Sequence, residues 1–320
     1  KILRERGFRH VRLPIAAESV MARFTPTATI GARRQAIGLA LDRLAALGFA
    51  VVVDLHGGDR LNELFRRDPD GGRDAVIEAW RVLGPSVEAR AGRGVAAEVL
   101  NEPPLDDAAW AAMQPVIVAA MRREMPTTSF VVSTGGPQRV ERLTAATPIA
   151  DANTVYAVHY YDPMIFTHQG ADWLRPDPIA ALAGVPFPIR VGDPRLATLA
   201  AAARAKGERK VSALLDGLAD RAFDVAEIER HMRALGDWSR ATGRPVVIGE
   251  FGVYRAHAAA ADRVGWLAAV RRAAEANCLG WTHWDYRDGF GMIDGRTGEP
   301  DDAVLSALVG PRTTTPAPRS

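Results

Sequence analysis

Seven short runs of this chain are almost wholly apolar and rich in β-branched residues: 8–13, 50–55, 95–100, 129–133, 154–159, 246–249 and 278–284. Near-continuous apolar runs are the mark of parallel strands covered on their outer face, so each predicts a buried strand. Between them the apolar residues fall at helical spacing. Residues 33–47 put Ile37, Leu41, Leu44 and Leu47 on one face, and Gly48 ends the pattern. Further helices are predicted over 74–90, 108–124, 138–143, 225–242, 260–276 and 301–309. Trp80, Trp110, Trp238 and Trp266 fall inside these patterns and read as packing residues.

Strand and helix alternating along the whole chain predict an α/β protein, a (β/α)8 (TIM) barrel, with an open doubly wound sheet as the other arrangement of the same units. A complete barrel needs eight strands, and seven are visible. Residues 1–6 read as the end of a helix that leads through Gly7 into the first visible strand. The expectation is therefore an N-terminally truncated barrel with a gap between its first and last visible strands. The connection 163–222 is too long for an ordinary loop and is predicted to carry a helix of its own over 194–205. The barrel is expected to occupy 1–310, followed at 311–320 by a Pro/Thr-rich tail or linker.

Composition narrows the function by exclusion. The 320 residues carry a formal charge of only +2, with acidic and basic residues interspersed, so no electrostatic footprint for nucleic acid or an anionic membrane is present. No apolar stretch is long enough for a membrane-spanning helix. The single cysteine, Cys278, sits among apolar neighbours and reads as a buried small hydrophobe rather than a nucleophile. Among seven histidines there is no His-Glu-x-x-His pattern and no cysteine cluster, so neither a metal nor another cofactor is expected.

Two carboxylates carry the candidate chemistry. Glu102 stands in Val99-Leu100-Asn101-Glu102-Pro103 and Glu250 in Val247-Ile248-Gly249-Glu250-Phe251-Gly252, each just past an apolar strand. In a barrel both would point into the mouth at the C-terminal strand ends, where active sites are built. Glycoside hydrolysis needs two such groups flanking one bond, about 5–5.5 Å apart in retaining enzymes. Either glutamate alone would read equally well as a surface or helix-capping residue; the pair favours catalysis.

Around this pair the chain resembles glycoside hydrolase family 5, the large cellulase family of clan A. The resemblance covers nearly the whole chain. Asn101-Glu102 matches the family's Asn-Glu pair after its fourth strand, and Glu250 its glutamate after the seventh. Val11-Arg12-Leu13-Pro14, Asp54-Leu55-His56, His159-Tyr160-Tyr161 and Trp281-Thr282-His283-Trp284 match further strand-end motifs in family order. The stretch Tyr161-Asp162-Pro163 through Phe166-Thr167-His168-Gln169-Gly170 looks like a bacterial glucanase subgroup of the family.

The resemblance implies roles. Glu250 would be the nucleophile and Glu102 the acid/base of a retaining hydrolase of β-1,4-glucan, with β-mannanase, β-1,3-glucanase or an inactive carbohydrate-binding barrel as alternatives. Arg12 would lie beside the nucleophile and keep it charged; the structural alternative is a strand-end ion pair. Asn101 would bond the sugar 2-hydroxyl, or else serve as a turn residue. Tyr161 would donate to Glu250, or else be an aromatic core residue. His56 and His159 would bond sugar hydroxyls or the carboxylates. Trp284 would stack on a sugar ring, while Trp281 could be core. The implied partner is a β-linked polysaccharide or oligosaccharide handled by a monomer, and the implied location is outside the cell or in the periplasm.

Overall fold

A computed structural model describes residues 1–218 and 220–310. The predicted tail at 311–320 lies outside the described residues. Seven strands follow one another in chain order through one sheet: β1 (His10–Ala16), β2 (Ala50–His56), β3 (Val95–Glu98), β4 (Phe130–Ser133), β5 (Thr154–Tyr160), β6 (Val246–Phe251) and β7 (Gly280–His283). The β1–β2, β2–β3, β3–β4 and β4–β5 pairs are parallel. The alternation of strand and helix is that of a (β/α) barrel, and seven of its strands lie among the described residues.

The helices are α1 (Ile2–Glu5), α2 (Thr27–Ala46), α3 (Asp59–Arg67), α4 (Pro69–Glu88), α5 (Asp107–Glu124), α6 (Val140–Thr144), α7 (Met164–Thr167), α8 (Pro194–Ala205), α9 (Arg209–Asp216), α10 (Val225–Thr242), α11 (Ala260–Ala276) and α12 (Asp302–Val309). Among the described residues none is long and apolar enough to cross a membrane. Their starts follow from capping. Asp68 accepts from the Gly71 amide with Pro69 in the first turn, and Asp106 and Asp301 accept from the Ala109 and Val304 amides.

The described residues fall into two compact units, one of residues 1–159 with 237–249 and one of residues 160–218, 220–236 and 250–310. In the first, register puts the polar residues of three strands on one face. Arg12 pairs with Val52, Pro14 with Asp54, and Asp54 with Glu98. Side chains alternate along a strand, so Arg12, Asp54, His56 and Glu98 share a side, while Val51, Val53, Leu55 and Ala97 fill the other and are buried. Trp80 of α4 donates its indole N–H to the Val99 carbonyl, and Trp110 of α5 to that of Ser133. In the second unit Trp266 does the same to Asp162. These tryptophans are packing residues that also pin the backbone at or just past the ends of three strands.

Three helices were hidden in the sequence, the four-residue α7 among them. Asp59–Arg67 is so charged that it reads as loop, yet Leu61 and Phe65, one turn apart, are fully buried. The helix after it begins at Pro69, ahead of the predicted 74. Gly71-Gly72 disfavours a helix locally, but a Cβ at Gly72 would sit 2.5 Å from the Phe65 ring, so packing requires the glycine. α9 was likewise unforeseen; its Val211 and Leu215 are buried. By contrast 194–205 and 225–242 form helices over the predicted spans.

Cys278 corrects its expectation. It is exposed, with φ of 57°. It follows the end of α11, where its own amide bonds the Glu275 carbonyl and that of Leu279 bonds Ala274. The helix terminus turns the side chain out in a left-handed conformation, and its apolar chain neighbours do not bury it.

Candidate active site

The first unit gathers five polar side chains on the inner face of β1 to β3. Arg12 forks onto Glu98, with Nε 2.6 Å from Oε2 and Nη2 2.9 Å from Oε1. The same Nη2 donates to Asn101 Oδ1 at 2.8 Å and lies 3.1 Å from Asp54 Oδ2. Asp54 Oδ2 is 2.8 Å from His56 Nδ1, and the far nitrogen of that ring is 3.3 Å from Asn101 Nδ2. Arg12, Asp54 and Glu98 are buried. Burial and the adjacent charge of Glu98 push the Asp54 carboxyl up to about 6, against the pull of Arg12 and His56. Arg12 thus stands in a buried strand-end ion pair, and the network joins three of the predicted residues, Arg12, His56 and Asn101.

Glu102 lies one residue beyond Asn101 with φ of 38°, in the left-handed region that a residue with a Cβ enters at a cost of about 1–3 kcal/mol. Held there, its side chain is 41% exposed, while its partner His159 is buried. His159 Nδ1 is 2.9 Å from Glu102 Oε1. Burial pushes the Glu102 carboxyl up, but the His159 hydrogen bond and the charges of His159, His56 and Arg12 bring it below its ordinary value. Strain concentrated on a carboxylate at a strand end is a hallmark of functional geometry.

The second unit holds Glu250, buried near the end of β6. Tyr161, just past β5, donates its hydroxyl to Glu250 Oε2 at 2.8 Å. The Tyr161 ring meets His168 edge-on at 4.8 Å and tilts against Phe290 at 5.9 Å. Thr167 donates to the Tyr161 carbonyl, and its own carbonyl accepts from the Tyr254 amide. Two residues past Glu250, a Cβ at Gly252 would lie 2.1 Å from the Trp284 carbonyl, so only glycine permits this approach. Trp284 is half-buried and donates its amide to the Phe251 carbonyl. Trp281 is half-buried rather than core; its indole N–H reaches Glu275 of α11.

Sequence reasoning missed several neighbours. Asp54 and Glu98 were passed over as residues within strands, although a carboxylate inside an apolar run was the available signal. Trp173, 54% exposed and edge-on to Tyr254 at 4.9 Å, was also missed. It follows closely on the quoted His168-Gln169-Gly170 stretch, where buried Gln169 ties the loop by bonding the Phe166 and Val185 carbonyls and the Val185 amide.

Residues 1–288 match the cellulase family, glycosyl hydrolase family 5. The chain is 26% identical over 312 residues to Endoglucanase 3 of Fibrobacter succinogenes, covering 92% of this chain and 46% of that protein. It thus spans about half of that relative. Among solved structures it is similar to a hyperthermophilic endo-beta-1,4-glucanase in complex with substrate, with TM-score 0.78 and 23% identity over 97% of this chain and 88% of that one. Thermotoga maritima Cel5A, solved with cellobiose and with mannotriose, is similar with TM-score 0.76 and 23% identity over 96% of this chain and 88% of that one. At this identity the likeness shows the fold, a TIM barrel.

Proposed function

Because the chain belongs to the cellulase family, glycosyl hydrolase family 5, we propose that it is an endo-acting hydrolase of β-1,4-glucan that retains anomeric configuration. The observation that carries this is the contrast between two strand-end carboxylates. Glu250 is buried and fixed by the Tyr161 hydroxyl; Glu102 is exposed, backbone-strained and bonded to His159.

In this reading a Glu250 carboxylate oxygen attacks the anomeric carbon as the glycosidic C–O bond breaks. Glu102 gives its proton to the departing oxygen. Water then attacks the glycosyl ester, losing a proton to Glu102 and releasing Glu250. Glu102 must hold a proton in the first half and accept one in the second. In a retaining pair the charge of the nucleophile raises the pKa of the acid before attack. Esterification removes that charge, and the His159 hydrogen bond then draws Glu102 back down into a base. Asn101, its amide oxygen held by Arg12, bonds the 2-hydroxyl, His56 lines the sugar site and Trp284 stacks on a ring face.

Mannan is the second substrate to consider, since Thermotoga maritima Cel5A has also been solved in complex with mannotriose. A polymer too large to enter a cell supports a location outside it or in the periplasm. A single chain supplies every residue named, so a monomer suffices. Reducing-sugar release from carboxymethyl cellulose, mannan and laminarin tests the reading. Release is expected first from carboxymethyl cellulose; binding to these polymers with no release from any would instead favour a carbohydrate-binding barrel.

A further inference from the structure

We propose that Asp54 is a positioning residue for glycoside cleavage: it fixes the tautomer of His56, and His56 in turn fixes the amide of Asn101 that holds the sugar 2-hydroxyl. The inference rests on the function proposed above and extends it to a buried carboxylate that the mechanism does not otherwise use.

Three hydrogen bonds leave one consistent assignment. A guanidinium can only donate, so the Asn101 atom 2.8 Å from Arg12 Nη2 is the amide oxygen and the opposite atom is the NH2 group. That NH2 lies 3.3 Å from His56 Nε2, which must therefore offer a lone pair. The ring nitrogen with the proton is then Nδ1, and it faces Asp54 Oδ2 at 2.8 Å, an acceptor when ionised. Arg12 from β1 stabilises the Asp54 charge, with Nη2 3.1 Å away, and is itself neutralised by Glu98 from β3.

The alternative tautomer would aim Nε2–H at the Asn101 NH2, two donors face to face. Asn101 would have to turn, and turning sets its NH2 against the guanidinium. With Asp54 charged, one NH2 hydrogen is committed to His56 and the other is held in a fixed direction for the sugar. Hydrogen bonds to the 2-hydroxyl strengthen in the transition state, so a loosened Asn101 lowers kcat more than it raises KM.

The test has two arms on the full chain. In the first, imidazole 15N shifts of wild-type protein, assigned with a His56→Gln variant, should show His56 protonated at Nδ1 and bare at Nε2. The opposite tautomer would overturn the proposal, and this arm does not depend on any Asp54 variant folding. In the second, Asp54→Asn should lower kcat on an aryl β-cellobioside about ten- to a hundredfold, with KM changed less than about threefold. On the corresponding 2-deoxy glycoside the variant and the parent should differ by less than about threefold. Asp54→Asn combined with Asn101→Ala should be no slower than Asn101→Ala alone; multiplied losses would mean Asp54 acts elsewhere. Full turnover by Asp54→Asn beside inactive Glu102→Gln and Glu250→Gln variants would overturn this inference and leave the functional reading intact. No turnover by the wild type would overturn both.

Discussion

Tyr161 donates its hydroxyl to Glu250 Oε2 at 2.8 Å, and the two residues stand just past β5 and near the end of β6. A tyrosine two positions beyond His159 thus reaches the carboxylate 89 residues further along the chain. The bond holds one oxygen of Glu250 and thereby sets the direction of the other.

A hydrogen bond to a charged group contributes about 1.5–3 kcal/mol. If the oriented carboxylate is the nucleophile, Tyr161→Phe should lower kcat by about ten- to a hundredfold, while the ring keeps its contacts with His168 and Phe290 and the melting temperature changes little. Steady-state kinetics with a melting curve checks this; an unchanged kcat would detach Tyr161 from the chemistry.

The His159 hydrogen bond is the largest influence drawing Glu102 downward. His159→Gln removes that influence and its charge, so the Glu102 carboxyl should rise. The descending limb of kcat/KM against pH reports loss of the acid's proton in the free enzyme. It should therefore move to higher pH in the variant. A limb that stays in place or moves to lower pH would mean that Glu102 is not the acid.

His283 is buried, and burial together with the charge of Arg263 lowers its pKa to about 3 from the ordinary 6.5. The folded protein keeps the ring neutral where the unfolded chain protonates it. Stability is thus fully present above pH 6.5 and falls by about 1.4 kcal/mol per unit as pH drops toward 3. Below that the loss stops. Denaturant unfolding of wild type and His283→Gln across this window should show a shallower slope in the variant; parallel slopes would contradict the assignment.

What was legible in the sequence follows from what decides each feature. Strand positions were readable because runs such as Ala50–His56 are apolar enough to declare themselves locally. Glu102 and Glu250 were readable because each stands immediately beyond such a run. The partners of Arg12 were not, because the register that aligns Arg12, Asp54 and Glu98 exists only once three strands pair. α3 was hidden because two buried residues, Leu61 and Phe65, outweigh a charged majority. Cys278 misled because a helix terminus, not its neighbours, sets its exposure.

The assignment of Glu250 as nucleophile is tested most directly by chemical rescue. Removing its side chain in Glu250→Gly leaves space on that face of the sugar for a small anion, while Glu102 remains to protonate the leaving group. With azide and an activated β-cellobioside, the variant should recover turnover and release the α-glycosyl azide, identified by the anomeric proton in NMR. Formation of the β-glycosyl azide, or turnover by Glu250→Gly at the wild-type rate without azide, would contradict the account.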